Sequence, residues 1–377
     1  MTFRKVLITA AVILFAFGLL FFSKETSAAA VSGLSLCVKA LIPSLFPFFT
    51  VTAFATEANL ISGRLFSRPM RVLFNLPGEC ATAFLLGLCG GYPVGAAAAT
   101  GLYSSGVLSK SQTERLLSFC NNCGPAFILG VCGTALFGGS YAGVLLYGSH
   151  ILASLTVGIL FRGKPQCTAV SVSKKAPEAA VSYRKIFISS VRSALSGTLN
   201  ICAYVVFFSV AVRLLYLFGI IPFTAKILAL LLKPFGVSAL YAEKLIGGFF
   251  EVTTGVYGIV SSGAKLSSQL TGAAFMLGWA GLSVHFQVLD FISKSGLSPK
   301  PYIRGKLLHG VFSAVYAYIG TRLLPFDTGV SKMVSNRFSA LLSLSPAMIF
   351  AVCAAFCILF LIIALLLSKK CRTIKTR

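Results

Sequence analysis

The stretch from Cys80 to Tyr103, CATAFLLGLCGGYPVGAAAATGLY, decides the fold. It is apolar and longer than the roughly 20 residues a helix needs to cross a bilayer. Yet Gly87, Gly90, Gly91, Pro93 and Gly95 punctuate it. Proline removes a backbone donor and clashes with the preceding turn, and glycine weakens a helix interior, so one straight span is disfavoured. The stretch reads as a re-entrant helical hairpin that enters and leaves on the same side. Its break leaves backbone N–H and C=O groups that lipid cannot satisfy, so the break must face protein or a polar cavity.

Working outward, the hairpin has a counterpart. Gly90-Gly91 falls on Gly247-Gly248, Gly101 on Gly258 and Ser104-Ser105-Gly106 on Ser261-Ser262-Gly263 at one spacing, 247 minus 90, or 157 residues. Ser111-Gln112 falls on Ser268-Gln269, Gly124 on Gly281 and Pro77 on Pro234 at the same spacing. The ungapped coincidence of small residues marks an internal repeat. The second hairpin is then Leu245 to Val260, broken near Glu251-Val252-Thr253-Thr254-Gly255.

Composition agrees with a membrane setting. Of 377 residues, 56% are hydrophobic and 11% charged, with a mean hydropathy of +0.88. Long apolar runs, the clearest being Val6 to Phe22, Ala142 to Phe161, Ile201 to Ile221 and Ala347 to Leu367, are nearly free of charge except at Arg213. Soluble sheets use shorter apolar runs bounded by turns. Lys and Arg number 33 against nine acids, but they sit mostly between the runs, as the positive-inside rule requires, which argues against a nucleic-acid partner. The 11 cysteines are odd in number and mostly inside apolar segments, so no disulfide framework is implied. Cys120 and Cys123 form one CxxC without a second pair or a neighbouring His, so neither a metal site nor a cofactor is expected.

The charges orient the chain. Arg4 and Lys5 place Met1 inside, and Val6 to Phe22 reads as a retained first helix rather than a signal peptide, despite the small residues Thr26 to Ala30. Leu34 to Ala55 returns to an inner basic segment with Arg64, Arg68 and Arg71, and the first hairpin keeps Lys110 and Arg115 inside. Leu116 to Phe137 exits and Ala142 to Phe161 returns to a basic loop. Between Arg162 and Lys185 that loop carries six basic residues and one acid, Glu178. In the second unit Ile201 to Ile221 exits, the hairpin lies on the outer side, and Thr271 to Ile292 returns to Lys294, Lys300, Arg304 and Lys306. Leu307 to Leu324 exits again, and the last helix puts the basic tail inside, so both termini are cytoplasmic. The expected fold is therefore an all-α polytopic membrane protein with about eight crossings and two re-entrant hairpins in an inverted repeat. Its parts are an N-terminal membrane helix (1–30), a first repeat (31–161), a basic cytoplasmic loop (162–185), an inverted second repeat (186–324) and a C-terminal membrane helix with its tail (325–377).

Two breaks at equivalent positions point to one central site. The candidate substrate-binding residues are Gly91, Tyr92 and Pro93 at the first break, Asn121 and Asn122 at the interruption of the next helix, Glu251, Thr253 and Thr254 at the second break, and Ser283. Half-helix N-termini attract anions, and exposed carbonyls with a carboxylate attract cations. An acid such as Glu251 in an apolar run needs a partner or water, and Arg213 is the natural candidate; the plainer readings are a hydrogen bond pinning the hairpin and an arginine snorkelling to the interface. For Asn121 and Asn122 the plainer reading is helix capping, and for the two threonines back-bonding to their own helix. His285 and Asp290 could relay protons, though an internally bonded His and an interface-facing Asp are the simpler alternatives. No HExxH, GxSxG or GxxxxGK[ST] is present, so an enzyme is not expected.

With these segments in view, the chain resembles the YlbJ-type sporulation integral membrane proteins of endospore-forming Firmicutes, part of the wider nucleoside-recognition Gate family. The matching stretches are Leu41-Ile42-Pro43-Ser44-Leu45-Phe46-Pro47-Phe48-Phe49, Gly90 to Ala96, Glu114 to Asn122 and Glu251 to Gly255. The chain departs from the family pattern at Cys120 and Cys123-Gly124-Pro125. The resemblance implies a fold similar to concentrative nucleoside transporters and a role in spore formation, moving dipicolinic acid, a small planar dianion, across the outer forespore membrane. A nucleoside transporter, or a scaffold or receptor that transports nothing, are the alternatives. The expected partners are the small solute and the lipid bilayer, with a homo-oligomer left open.

Overall fold

Helix length follows the punctuation of the sequence: uninterrupted apolar stretches form long helices, and glycine- and proline-broken ones form short pairs. The computed structural model describes residues 2–58, 67–163, 182–233 and 236–323, among which there are helices and no strand. The first half holds α1 (Phe3–Phe21), α2 (Ser23–Leu36), a π-helical turn (Cys37–Leu41), α3 (Ile42–Glu57) and α4 (Ser67–Phe74). There follow α5 (Cys80–Gly90), α6 (Val94–Ser104), α7 (Lys110–Cys120), a π-helical segment (Ala126–Leu136) and α8 (Ser140–Leu160). The second half holds α9 (Tyr183–Leu217), α10 (Ile220–Leu231), α11 (Ala239–Phe250), α12 (Val252–Val260), α13 (Leu266–Trp279), α14 (Gly281–Lys294) and α15 (Lys300–Leu323).

Shifted by the spacing found in the sequence, α5 falls on α11, α6 on α12, α7 on α13, Ala126–Leu136 on α14 and α8 on α15. The packing is reciprocal in the same sense. Helix α7 packs on α15 as α13 does on α8, α5 packs on α3 as α11 does on α9, and α3 and α8 each pack on their own counterparts, α9 and α15. Such reciprocal pairing is what a two-fold relation between the halves would produce. The pair α3–α9 is antiparallel: Gly197 lies against Phe49, the Phe54 ring against Tyr183 and Phe187, and the Ser189 hydroxyl meets the Glu57 carboxylate.

The hairpin α5–α6 turns at Gly91, whose φ of 77° and ψ of −172° suit only glycine. A β-carbon at Gly87 or Gly95 would run into the Cys120 carbonyl, so these glycines let the end of α7 lie in the mouth of the hairpin. The counterpart α11–α12 closes through Gly248 and Gly255, with Met276 of α13 filling the space beside them. Helix α15 runs through the middle of the molecule, packed on α7, α8 and α13. Gly305 meets the Ser118 carbonyl and Gly278 meets Gly310 because neither carries a side chain.

At one end of the molecule, Lys110 donates to the Gly296 carbonyl at 3.0 Å and the Ser298 N–H to Glu114 at 2.8 Å. Arg115 and Arg162 reach the α4–α5 turn at Phe74 and Asn75 there. This gathers the basic residues that the sequence places on one side.

Several expectations change. Tyr141–Leu160, Tyr183–Leu217 and Leu266–Lys294 are the 3 helices among the described residues long and apolar enough to cross a membrane. The first helix and its successor form a fourth candidate, bent by 95° at their junction. Among the described residues, the expected crossings are therefore not all present as single long apolar helices. The span expected from Ile201 to Ile221 is instead the end of a 35-residue helix that stops at Leu217. Gly219, with φ 75°, turns the chain there, and Ile221 belongs to α10. The C-terminal helix expected from Ala347 to Leu367, the tail, Arg64 and most of the loop from Arg162 to Lys185 lie outside the described residues.

Candidate functional site

Both breaks open onto one small cavity, about 60 Å³, between the halves. Gly91, Tyr92, Cys123 and Gly124 line it from the first half and Glu251, Val252, Thr253 and Ser283 from the second, with Leu41 and Val205 closing it from α3 and α9. That is room for a few waters. Of the residues expected at a central site, Gly91, Tyr92, Glu251, Thr253 and Ser283 meet here, whereas Pro93, Asn121, Asn122 and Thr254 are not part of the wall.

Glu251 is fully buried, yet its carboxylate serves its own helix. It accepts from the Thr253 N–H at 3.0 Å and the Thr254 N–H at 2.6 Å, capping α12. A half-helix N-terminus leaves orphan donors and a partial positive charge, and a tethered carboxylate satisfies both. Arg213 is not its partner: it is exposed, stacks at 5.8 Å on Tyr216 and lies beside Lys24 and Glu25 at the edge of α9. Glu251 thus makes the hydrogen bonds that pin the hairpin, and Arg213 lies exposed away from it. The anion-binding role imagined for this N-terminus is filled from within the chain.

Asn122 likewise caps, donating from Nδ2 to the Phe119 carbonyl at 3.0 Å. Asn121 is fully buried, and its side-chain amide atoms lack a hydrogen-bond partner among the described residues. Thr254 bonds back to the Glu251 carbonyl at 3.4 Å. His285 pairs with the Tyr302 hydroxyl at 2.9 Å and sits edge-on to Trp279. Asp290 pairs with Lys294 at 2.7 Å at an exposed end, so it takes no part in an interior relay. Cys120 and Cys123 are buried free thiols.

The sequence reading missed the most unusual group. Lys306, expected in the inner basic loop, is fully buried in α15. Its ammonium donates to the Asn121 carbonyl at 3.1 Å, lies 3.3 Å from His309 Nδ1 and 5.1 Å from the centre of the Tyr92 ring. His309 Nε2 donates to the His150 carbonyl at 3.0 Å, and the Cys123 N–H donates to His150 Nε2 at 3.0 Å. The Tyr92 hydroxyl reaches across to the Leu277 carbonyl at the end of α13. The signal was present: Tyr302, Lys306, His309 and Ser313 recur at helical spacing, and all four are buried. Among the described residues, no three His, Cys, Asp or Glu side chains converge as a metal ion would need.

Apolar helices, two hairpins broken at corresponding points and a small cavity between them define an integral membrane protein that is helical among the described residues. Over 308 residues the chain is 26% identical to the sporulation integral membrane protein YlbJ of Bacillus subtilis (strain 168), covering 76% of this chain and 76% of that one. That similarity supports reading the chain as a YlbJ-type sporulation integral membrane protein. No protein-family model matches it, and no solved structure does.

Proposed function

We propose that the protein is a permease that moves a small anionic solute through the central cavity, with the two halves acting as an inverted repeat. The observation that carries this reading is the convergence of both broken hairpins on one cavity, the arrangement that secondary transporters use for their binding sites. The antiparallel pairing of α3 with α9 supports inversion, because a two-fold axis between antiparallel membrane helices lies in the membrane plane. Anion recognition falls to the first half, since Glu251 already occupies the N-terminus of α12. There the buried Asn121 amide supplies hydrogen-bonding groups with no partner among the described residues, behind the Tyr92 wall.

Dipicolinate is the leading solute by resemblance to the YlbJ type, and the outer forespore membrane the leading location, with both termini cytoplasmic. Uptake of labelled dipicolinate into vesicles carrying the purified protein tests this. Saturable uptake that unlabelled dipicolinate competes and nucleosides do not is the expected result. Competition by nucleosides would transfer the reading to a nucleoside carrier. A protein that is folded and inserted yet moves neither solute, in a strain whose spores keep normal dipicolinate without it, would leave a scaffold.

A further inference from the structure

The buried Lys306 cluster is placed behind the cavity rather than in it, and its geometry gives it a task of its own. We propose that Lys306, paired with His309, is a proton-binding site whose occupancy reaches the cavity through Tyr92, so that solute movement is coupled to protons. This rests on the permease reading.

The hydrogen bonds assign the tautomers. Because His309 Nε2 donates to the His150 carbonyl, its Nδ1 is free to accept from Lys306. Because the Cys123 N–H donates to His150 Nε2, the His150 proton sits on Nδ1, a buried donor with no partner among the described protein groups. Lys306 Nζ thus spends two protons on Asn121 O and His309 Nδ1. An amine has those two, and an ammonium has a third, which the Tyr92 ring face accommodates. Protonation and deprotonation therefore share one heavy-atom arrangement and differ in what Tyr92 faces: a cation, or a neutral amine. The proton released is the third, and it leaves toward the cavity side.

Tyr92 is the link because the same side chain lines the cavity and holds the end of α13 in the other half through its hydroxyl. No carboxylate lies within ion-pair distance of Lys306 among the described residues. The titratable neighbours around it are His309 and Tyr302 on its own helix, His150 on α8, Cys120 and Cys123 around the α7 break, and His285 on α14. A charge at membrane depth held by neutral groups is costly and characteristically functional. The competing explanation is a static cap on the C-terminal carbonyls of α7.

The full-length protein in liposomes, with labelled dipicolinate as the probe, separates these. An imposed pH gradient should change the initial flux several-fold, and a sodium gradient of equal size should not. Lys306→Met should reduce the flux under a pH gradient to its rate without one, while solute exchange between two filled compartments continues; His309→Gln should weaken the pH response in the same direction. A static cap predicts lower thermal stability with an unchanged pH response. Wild-type flux that ignores pH, or a Lys306→Met protein that keeps the wild-type response, overturns the proton site and leaves the permease standing. Absence of dipicolinate flux and exchange under every gradient overturns the permease reading, and the coupling with it.

Discussion

At the scale of single residues, buried polar groups at the breaks divide between those that hold the backbone and those left over. Glu251 and Asn122 complete helix ends, and such caps contribute about 1–2 kcal/mol each. Glu251→Gln keeps one acceptor where the carboxylate offers two, one to Thr253 and one to Thr254. The substitution should cost about 1 kcal/mol, read as a thermal midpoint a few degrees lower in detergent by circular dichroism. Asn122→Ala removes the bond to the Phe119 carbonyl and should lower the midpoint to a similar degree. If either protein inserts and keeps its helicity yet loses solute uptake, the site reading gains and the scaffold reading fails. Arg213→Ala should leave both stability and uptake near wild type, because the side chain is exposed and takes no part in the cavity wall.

At the scale of elements, the hairpins depend on backbone approach that only glycine permits. Gly91 lies in a region of φ and ψ closed to other residues, and a β-carbon there would stand 2.9 Å from the Gly124 nitrogen. Gly91→Ala should therefore cost about 2–3 kcal/mol, and the measurement is again the thermal midpoint, compared with Gly101→Ala, where the same addition meets open space. Equal midpoints for the two variants would show that the first break is not held against the interruption after α7. The sequence supplied this element well: the positions of the breaks at Gly90 to Pro93 and at Glu251 were legible from glycine, proline and the repeat spacing. What it misplaced was the length of α9, because an apolar window does not register a helix that continues into the polar residues Tyr183 to Arg192.

At the scale of the whole molecule, the proposed inverted arrangement makes a topological prediction. Ser104 and Ser261 are equivalent, exposed positions at the ends of α6 and α12. Introduced singly in a cysteine-depleted background, Ser104→Cys and Ser261→Cys should react with an impermeant thiol reagent from opposite faces. Ser104 should label from the cytoplasmic side, the side that the positive-inside rule predicts for Lys110 and Arg115. Reaction of both from one face would remove the inverted repeat and the argument for alternating access through a shared cavity.

By itself the sequence determined the helical class, the membrane setting and the two breaks, since these follow from hydropathy, charge placement and residues with distinctive backbone freedom. Only the tertiary structure decided which polar residues face one another. Glu251 turned inward to its own helix and Arg213 outward to the edge, while Lys306 moved from an expected surface loop to the centre. The physical reason is that local patterning records what a residue costs to bury, whereas the partner that offsets the cost, here Asn121 and His309 for Lys306, comes from packing between segments far apart in the chain.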